Sequence, residues 1–286
     1  MKRRDFIRIT LPIALAGRAA GATSETPDLT FGVIADPQYA DVETHGSRFY
    51  RNSLAKLEHA IADLNTRPLD FTVTLGDLID RDFKSFGSVM PIYEKLKSRH
   101  FPILGNHDFS VEDGEKGKVL AALGMEKAYH SMVIKGWRFL FTDGTDDAIW
   151  RYPASDPRTL AAKKPYRNSG ICAEQMAWIA EELAAAKESG QRAIVFNHYP
   201  AFPEKGPNIT NSKELVALIG KHGNVAAYMN GHHHAGNYAE KGGCHYVNFK
   251  GMVETEKETA YATVSCYSDR LVIEGMGLEP GRSLGA

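Results

Sequence analysis

Eleven histidines occur in the 286-residue chain, and three of them stand together at His232-His233-His234 directly after a glycine. Asp36 and Gln38 flank a proline, Asp77 follows Gly76, Asn106-His107-Asp108 follows Gly105, and His198 follows Asn197. These side chains offer oxygen or imidazole nitrogen and no thiolate, which suits borderline or hard divalent ions such as Mn, Fe, Zn or Mg. Seven of them (Asp36, Gln38, Asp77, Asn106, His198, His232 and His234) are too many for one tetrahedral zinc. They suit two ions held about 3.5–4 Å apart, with a carboxylate as the bridge. Such a pair polarises a phosphoryl group and lowers the pKa of a bridging water, so the chemistry needs no nucleophilic side chain. No Gly-x-Ser-x-Gly elbow is present to supply one.

The elements that must position these residues alternate between strand and helix patterns, the rhythm of an α/β protein. Apolar runs at 29–35, 71–75, 101–104, 192–196 and 225–229 each stop within three residues of a member of the set. Amphipathic spacing predicts helices over 47–65, 89–99 and 171–189. Asn211, with Glu214 three residues on, reads as a capping box opening a helix that Gly223 closes. A hairpin is expected at 128–134 and 137–143, and short strands at 245–249, 261–267 and 271–275. Residues 144–170 lack periodicity and read as a surface insertion. Ligands of α/β sheets gather at the carboxyl ends of strands, so five such endings place the seven side chains in one pocket.

Composition narrows the class. Lys+Arg 34 against Asp+Glu 35 gives a net charge of −1, which supplies no electrostatic case for a nucleic-acid partner. A hydrophobic share of 43% and a charged share of 24% are ordinary globular values. No apolar run reaches the roughly 18 residues of a membrane span. Three scattered cysteines make no CxxC pair, and Cys244 and Cys266 are expected on neighbouring late strands, free or paired. Residues 1–22 have a basic start, a short apolar middle and an Ala-Gly-Ala end, and Arg3-Arg4-Asp5-Phe6-Ile7 is similar to a twin-arginine export signal. No cysteine follows for a lipid anchor. The expectation is a protein handled by the twin-arginine export machinery, periplasmic or secreted, with no stable membrane anchor.

In order along the chain, Asp36-x-Gln38, Gly76-Asp77, Gly105-Asn106-His107-Asp108, His198 and Gly231-His232-His233-His234 resemble the signature of the calcineurin-like metallophosphoesterases. The resemblance covers residues 29–234 and implies a four-layer α/β/β/α sandwich over 28–278 with two divalent ions. By that resemblance Asp36, Gln38, Asp77 and His234 hold one ion. Asp77, Asn106, His198 and His232 hold the other, with Asp77 as the bridge. It also implies that His107 faces the phosphate and protonates the leaving oxygen, that Asp80 orients and charges His107, and that Arg81 contacts a phosphate oxygen.

The family usually carries histidine where Gln38 stands. A subgroup with glutamine there, the manganese-dependent ADP-ribose/CDP-alcohol diphosphatases, is similar also at Ile34–Asp41, at Tyr50-Arg51-Asn52-Ser53-Leu54 and at Asn197-His198-Tyr199-Pro200. That resemblance adds Arg51 as a substrate contact. It implies attack of a metal-bridging hydroxide on a phosphoester or diphosphate linkage of a small phosphorylated substrate such as a nucleotide conjugate. Manganese is the expected ion, with Fe, Zn or Mg as alternatives. The rival expectations are a general phosphomonoesterase or phosphodiesterase of the same fold and a non-catalytic periplasmic metal-binding protein. In the insertion, Arg151, Arg158, Lys163, Lys164 and Arg167 with Trp150, Tyr152 and Tyr166 either grip a diphosphate and base or form a solvated loop. His45, His59, His100, His130, His222 and His245 have no partner motif and read as ordinary histidines.

Overall fold

The computed structural model describes residues 26–161, 169–204 and 206–285. Residues 1–22, where an export signal is expected, and residues 162–168 of the insertion lie outside them. In chain order the elements are β1 (Leu29–Ile34), α1 (Ser53–Leu64), β2 (Phe71–Thr74), α2 (Ser85–Tyr93), β3 (His100–Pro102) and α3 (Val119–Ala122). Then follow β4 (His130–Ile134), β5 (Trp137–Phe141), α4 (Pro157–Ala161), α5 (Ala173–Glu188), β6 (Arg192–Phe196) and α6 (Ser212–His222). The chain ends with β7 (Val225–Asn230), β8 (Asn237–Lys241), β9 (Cys244–Asn248), β10 (Ala260–Cys266), β11 (Arg270–Gly277) and β12 (Arg282–Gly285). One sheet runs β12-β11-β10-β1-β2-β3 and the other β4-β5-β6-β7-β9-β8.

Strand periodicity explains the layering. Along β1, Leu29, Phe31 and Val33 enter the core between the sheets, whereas Ile34 turns to the helical side with Leu57, Ile61 and Leu64 of α1. In β6, Ile194 and Phe196 face the inter-sheet core while Ala193 and Val195 meet Leu215 and Ile219 of α6. Alternate side chains thus serve two layers, and strands buried on both faces read as continuous apolar runs. The inter-sheet layer is aromatic: Phe31 stacks on Phe71 at 4.9 Å, and Phe71 meets Phe139 edge-on at 4.9 Å. Each buried Phe contributes about 1.5–3 kcal/mol. Three apolar layers separate four structural ones, so the fold is the expected α/β/β/α sandwich.

The pairings aim the functional ends the same way. β1, β2 and β3 are parallel neighbours in one sheet, and β5, β6, β7 and β9 in the other.

Several local expectations differ from the structure. The second helix occupies Ser85–Tyr93 rather than 89–99. The chain beyond it continues in tighter turns, with Leu96 N donating to Tyr93 O at 3.2 Å, and buried Leu96 imitates helical spacing. Asn211 makes no side-chain cap. Its amide instead bonds both backbone groups of Ile171, at 3.2 and 2.8 Å, tying the start of α6 to the segment before α5. Cys244 packs outside the second sheet and Cys266 between the sheets, so the two thiols are separated and free. The insertion is not wholly superficial: Thr145, Ala148 and Ser169 are buried, and α4 lies within it. β8 was not expected. It is a polar edge strand, joined to β9 by Gly242-Gly243, both at positive φ as a two-residue hairpin turn requires.

Candidate metal centre

The seven candidate ligands converge where the two sheets' strand ends meet. Four of them have left-handed backbones: Asp36 (φ 48°), Gln38 (45°), Asp77 (52°) and His232 (69°). Each such non-glycine residue costs of order 1–3 kcal/mol, and strain of this kind collects at functional sites. The loops are built tightly around it. Gln38 N donates to Asp77 O at 2.8 Å and Tyr39 N to Leu78 O at 3.1 Å, extending the β1–β2 pairing past the strand ends. A Cβ on Gly76 (φ 88°) would lie 2.5 Å from His198 Nδ1, so only glycine lets that imidazole approach.

One cluster centres on His198. Its Nδ1–H donates to the Leu75 carbonyl at 2.7 Å, which leaves Nε2 as the lone-pair nitrogen. Nε2 lies 3.2 Å from Asp77 Oδ2, 3.1 Å from Asn106 Oδ1 and 3.1 Å from His232 Nδ1. Four acceptor-bearing groups pointing together are satisfied by a shared cation. Ligand atoms of Asp77, His198 and His232 all lie within 4.8 Å of one another.

The second cluster adds Asp36, Gln38 and His234. Asp36 accepts the His232 backbone N–H at 3.1 and 3.0 Å, and His234 Nε2 stands 3.6 Å from Asp36 Oδ1. Gln38 Nε2 donates to Asp77 Oδ2 at 2.9 Å. That bond fixes the amide's orientation and leaves buried Oε1 with no partner. An unmet buried acceptor costs about 1–3 kcal/mol, and a cation shared with Asp36 and Asp77 would satisfy it. The donor set thus fits a pair of divalent ions.

Electrostatics match this chemistry. Burial would raise Asp77, but the charges of His198 and His107 hold its carboxyl well below the usual range. Burial and the charge of His198 push His232 well below ordinary histidine, keeping its lone pair free. At His198 burial opposes charge, yet Asp77 outweighs it and raises the imidazole to about 9. At His234 burial is likewise outweighed, by hydrogen bonds to Asp36 and Glu254, and the group also sits at about 9. A metal ion at these two nitrogens would therefore compete with the proton.

Beside the centre, His107 N donates to Asp77 Oδ1 at 2.7 Å and His107 Nδ1–H to Asp80 Oδ1 at 2.7 Å. Burial opposes the imidazolium, but Asp77 and the Asp80 bond raise its pKa. Arg81 is half-exposed at the rim, with Nε 3.8 Å from Asp80 Oδ2 and Nη2 3.4 Å from the Tyr50 hydroxyl. The Arg51 guanidinium is taken by Asp41 and Glu43 at 2.6 Å each.

Two positioning groups escaped the sequence reading. Asp108 accepts backbone N–H bonds from Gly105, Asp77 and Leu78 at 2.9, 3.0 and 2.8 Å, locking two ligand loops together. Glu254 accepts His234 Nδ1–H at 2.7 Å, which turns Nε2 toward Asp36. Nothing in the sequence near Glu254 signals this, because it sits in the loop after β9.

A profile of the calcineurin-like phosphoesterase family matches residues 29–236, and the chain belongs to that family. Among curated proteins it is 29% identical to the manganese-dependent ADP-ribose/CDP-alcohol diphosphatase of Xenopus laevis, over 91% of this chain and 91% of the relative. Against the enzyme of the same name from Homo sapiens it is 28% identical over 88% and 91%. Among solved structures, a dimetal phosphatase from Danio rerio superposes with a TM-score of 0.80 at 22% identity, over 91% of this chain and 99% of that one, which shows the fold. The protein is a metal-dependent phosphohydrolase, and its relatives use manganese.

Proposed function

We propose that the protein hydrolyses the P–O–P linkage of nucleotide conjugates such as ADP-ribose or a CDP-alcohol, with manganese as the preferred ion. Asp36, Gln38, Asp77 and His234 would hold one ion, and Asp77, Asn106, His198 and His232 the other. A bound pair of dications polarises the phosphoryl oxygens and makes a nucleophile of water at neutral pH. The remaining work falls to the chain's own residues. With Nδ1 fixed on Asp80, His107 keeps Nε2 to hand a proton to the departing phosphate oxygen. Asp80, buried beside it, stabilises the imidazolium and sets the tautomer. Arg81 offers a charged fork to a phosphate oxygen at the rim. Water then adds to one phosphorus, the bridging P–O bond breaks, and the proton goes to the leaving phosphate, so ADP-ribose gives AMP and ribose 5-phosphate.

The observation that carries this reading is Gln38, whose buried Oε1 supplies an oxygen donor where imidazole would favour zinc or iron. Similarity over about nine-tenths of both chains to proteins named for this activity supports it. The test is a panel of ADP-ribose, CDP-choline, bis-p-nitrophenyl phosphate and p-nitrophenyl phosphate with added Mn. One of the first two is expected to exceed p-nitrophenyl phosphate in kcat/KM by at least about tenfold. Equal rates, or preference for a nitrophenyl ester, would replace the reading with a general phosphoesterase.

We also infer that the enzyme works outside the cytoplasm, exported through the twin-arginine route by residues 1–22. Changing Arg3 and Arg4 to Lys and fractionating cells tests this. Loss of the periplasmic form is expected, and an unchanged periplasmic yield would contradict it.

A further inference from the structure

We propose that Arg151 is a positioning residue that sets the spacing between the two halves of the second ion's ligand set. The inference rests on reading Asn106, His198 and His232 as ligands of one ion. Asn106 follows β3 in the first sheet, whereas His198 and His232 follow β6 and β7 in the second. The aromatic core sets the sheet separation inside the molecule, and at the mouth His198 Nδ1–H to the Leu75 carbonyl and His232 N–H to Asp36 join the two sides beside Asp36 and Asp77. Arg151 adds a further link, on the side of Asn106. On the second-sheet side, fully buried Asp143 pairs with Arg151 Nη1, which also donates to Thr145 Oγ1 at 3.0 Å. Asp143 is fastened in turn by Gln175, whose Oε1 accepts its N–H at 2.8 Å. Preceding Thr142 accepts Asn197 Nδ2–H at 2.7 Å, one residue before His198. On the first-sheet side, the guanidinium carbon lies 5.0 Å over the Phe109 ring, and Trp150 meets that ring edge-on at 6.0 Å. Phe109 N donates to Asn106 O at 3.2 Å, so ring and candidate ligand share one turn. Only 11% of the Arg151 side chain is exposed, and its charge is held between a carboxylate of one sheet and an aromatic face of the other.

The test is equilibrium Mn titration, with free Mn read by its paramagnetic resonance signal, on wild type, Arg151→Met, Arg151→Lys, Phe109→Leu and the Arg151→Met/Phe109→Leu double variant. Wild type must first bind two ions per chain; failure there overturns the ligand reading itself. Arg151→Met is then expected to weaken one ion by about 10–100-fold, the range for lost outer-shell support, and to leave the other within about twofold. Arg151→Lys, which keeps the charge on Asp143 but not the planar face, should fall between. Phe109→Leu alone should weaken the same ion at least about fivefold, so a poorly folding Arg151→Met leaves the proposal exposed to refutation. In the double variant the two losses should be less than additive. Wild-type affinity for both ions in Phe109→Leu or Arg151→Lys, equal weakening of both ions, or a lower melting midpoint with unchanged Mn binding would overturn it.

Discussion

An amide oxygen at position 38 is a neutral, harder and weaker donor than an imidazole nitrogen. With Gln38 as a ligand, the proposed first ion site would offer two carboxylates, an amide and the single imidazole of His234. Gln38→His is expected to tighten zinc binding by roughly tenfold or more and to move the activating preference toward Zn or Fe. Side-by-side titrations of the two proteins check this, and identical preference and affinity would remove Gln38 from the ligand set. At His107 the expectation separates catalysis from coordination. His107→Ala should keep both ions, lower turnover on substrates with poor leaving groups by about 10²–10⁴, and lose much less on nitrophenyl esters, whose leaving group needs no proton. Metal analysis beside the rate measurement decides it: ions lost with the imidazole would make His107 a ligand.

At the scale of elements, α1 is fastened to the loop that carries Glu254, and the fastener is a buried lysine. Lys56 Nζ donates to the Glu254 and Thr255 carbonyls at 3.0 Å each and is 4% exposed. Burial pushes its pKa down to about 8, partly offset by the charge of Glu254. The unfolded chain therefore holds this proton between about pH 8 and the ordinary lysine value while the folded chain does not. Stability from this group is lowest below pH 8 and rises with pH across that window. Compared by urea unfolding at pH 7.5 and 10, wild type should gain on the order of 1–3 kcal/mol relative to Lys56→Met. Parallel pH curves would show that the amine is not desolvated. The same loop shows where the sequence stops being legible. Asp36, Asp77, Asn106, His198 and His232 were readable because each follows its own strand within four residues, and Asp77, Asn106 and His232 stand beside glycines that the packing requires. Glu254 was not, since it reaches His234 across a fold that brings separate loops together. Asn211 has the spacing of a cap, but the nearby Ile171 backbone competes for its amide and wins.

Across the whole molecule, the centre exists only when two sheets are packed together. Asp36, Gln38, Asp77 and Asn106 come from one sheet, and His198, His232 and His234 from the other. Among the described residues no helix is long and apolar enough to cross a membrane, and burial is spread over three apolar layers rather than a single face. The α/β class was legible because helix and strand periods alternate cleanly, whereas the four-layer α/β/β/α order came from the family resemblance and not from periodicity. The split of β9 and β10 between sheets was not, because strand patterns do not say which sheet a strand joins, and Cys244 and Cys266 were set as neighbours for that reason. The central claim is that this inter-sheet mouth holds two ions bridged by Asp77. Anomalous scattering from a crystal of the manganese-loaded protein, collected at the Mn edge, tests it most directly. Two peaks about 3.5–4 Å apart are expected, one against Asp36, Gln38 and His234, the other against Asn106, His198 and His232, with Asp77 between. A single peak, or peaks away from these side chains, would contradict the account.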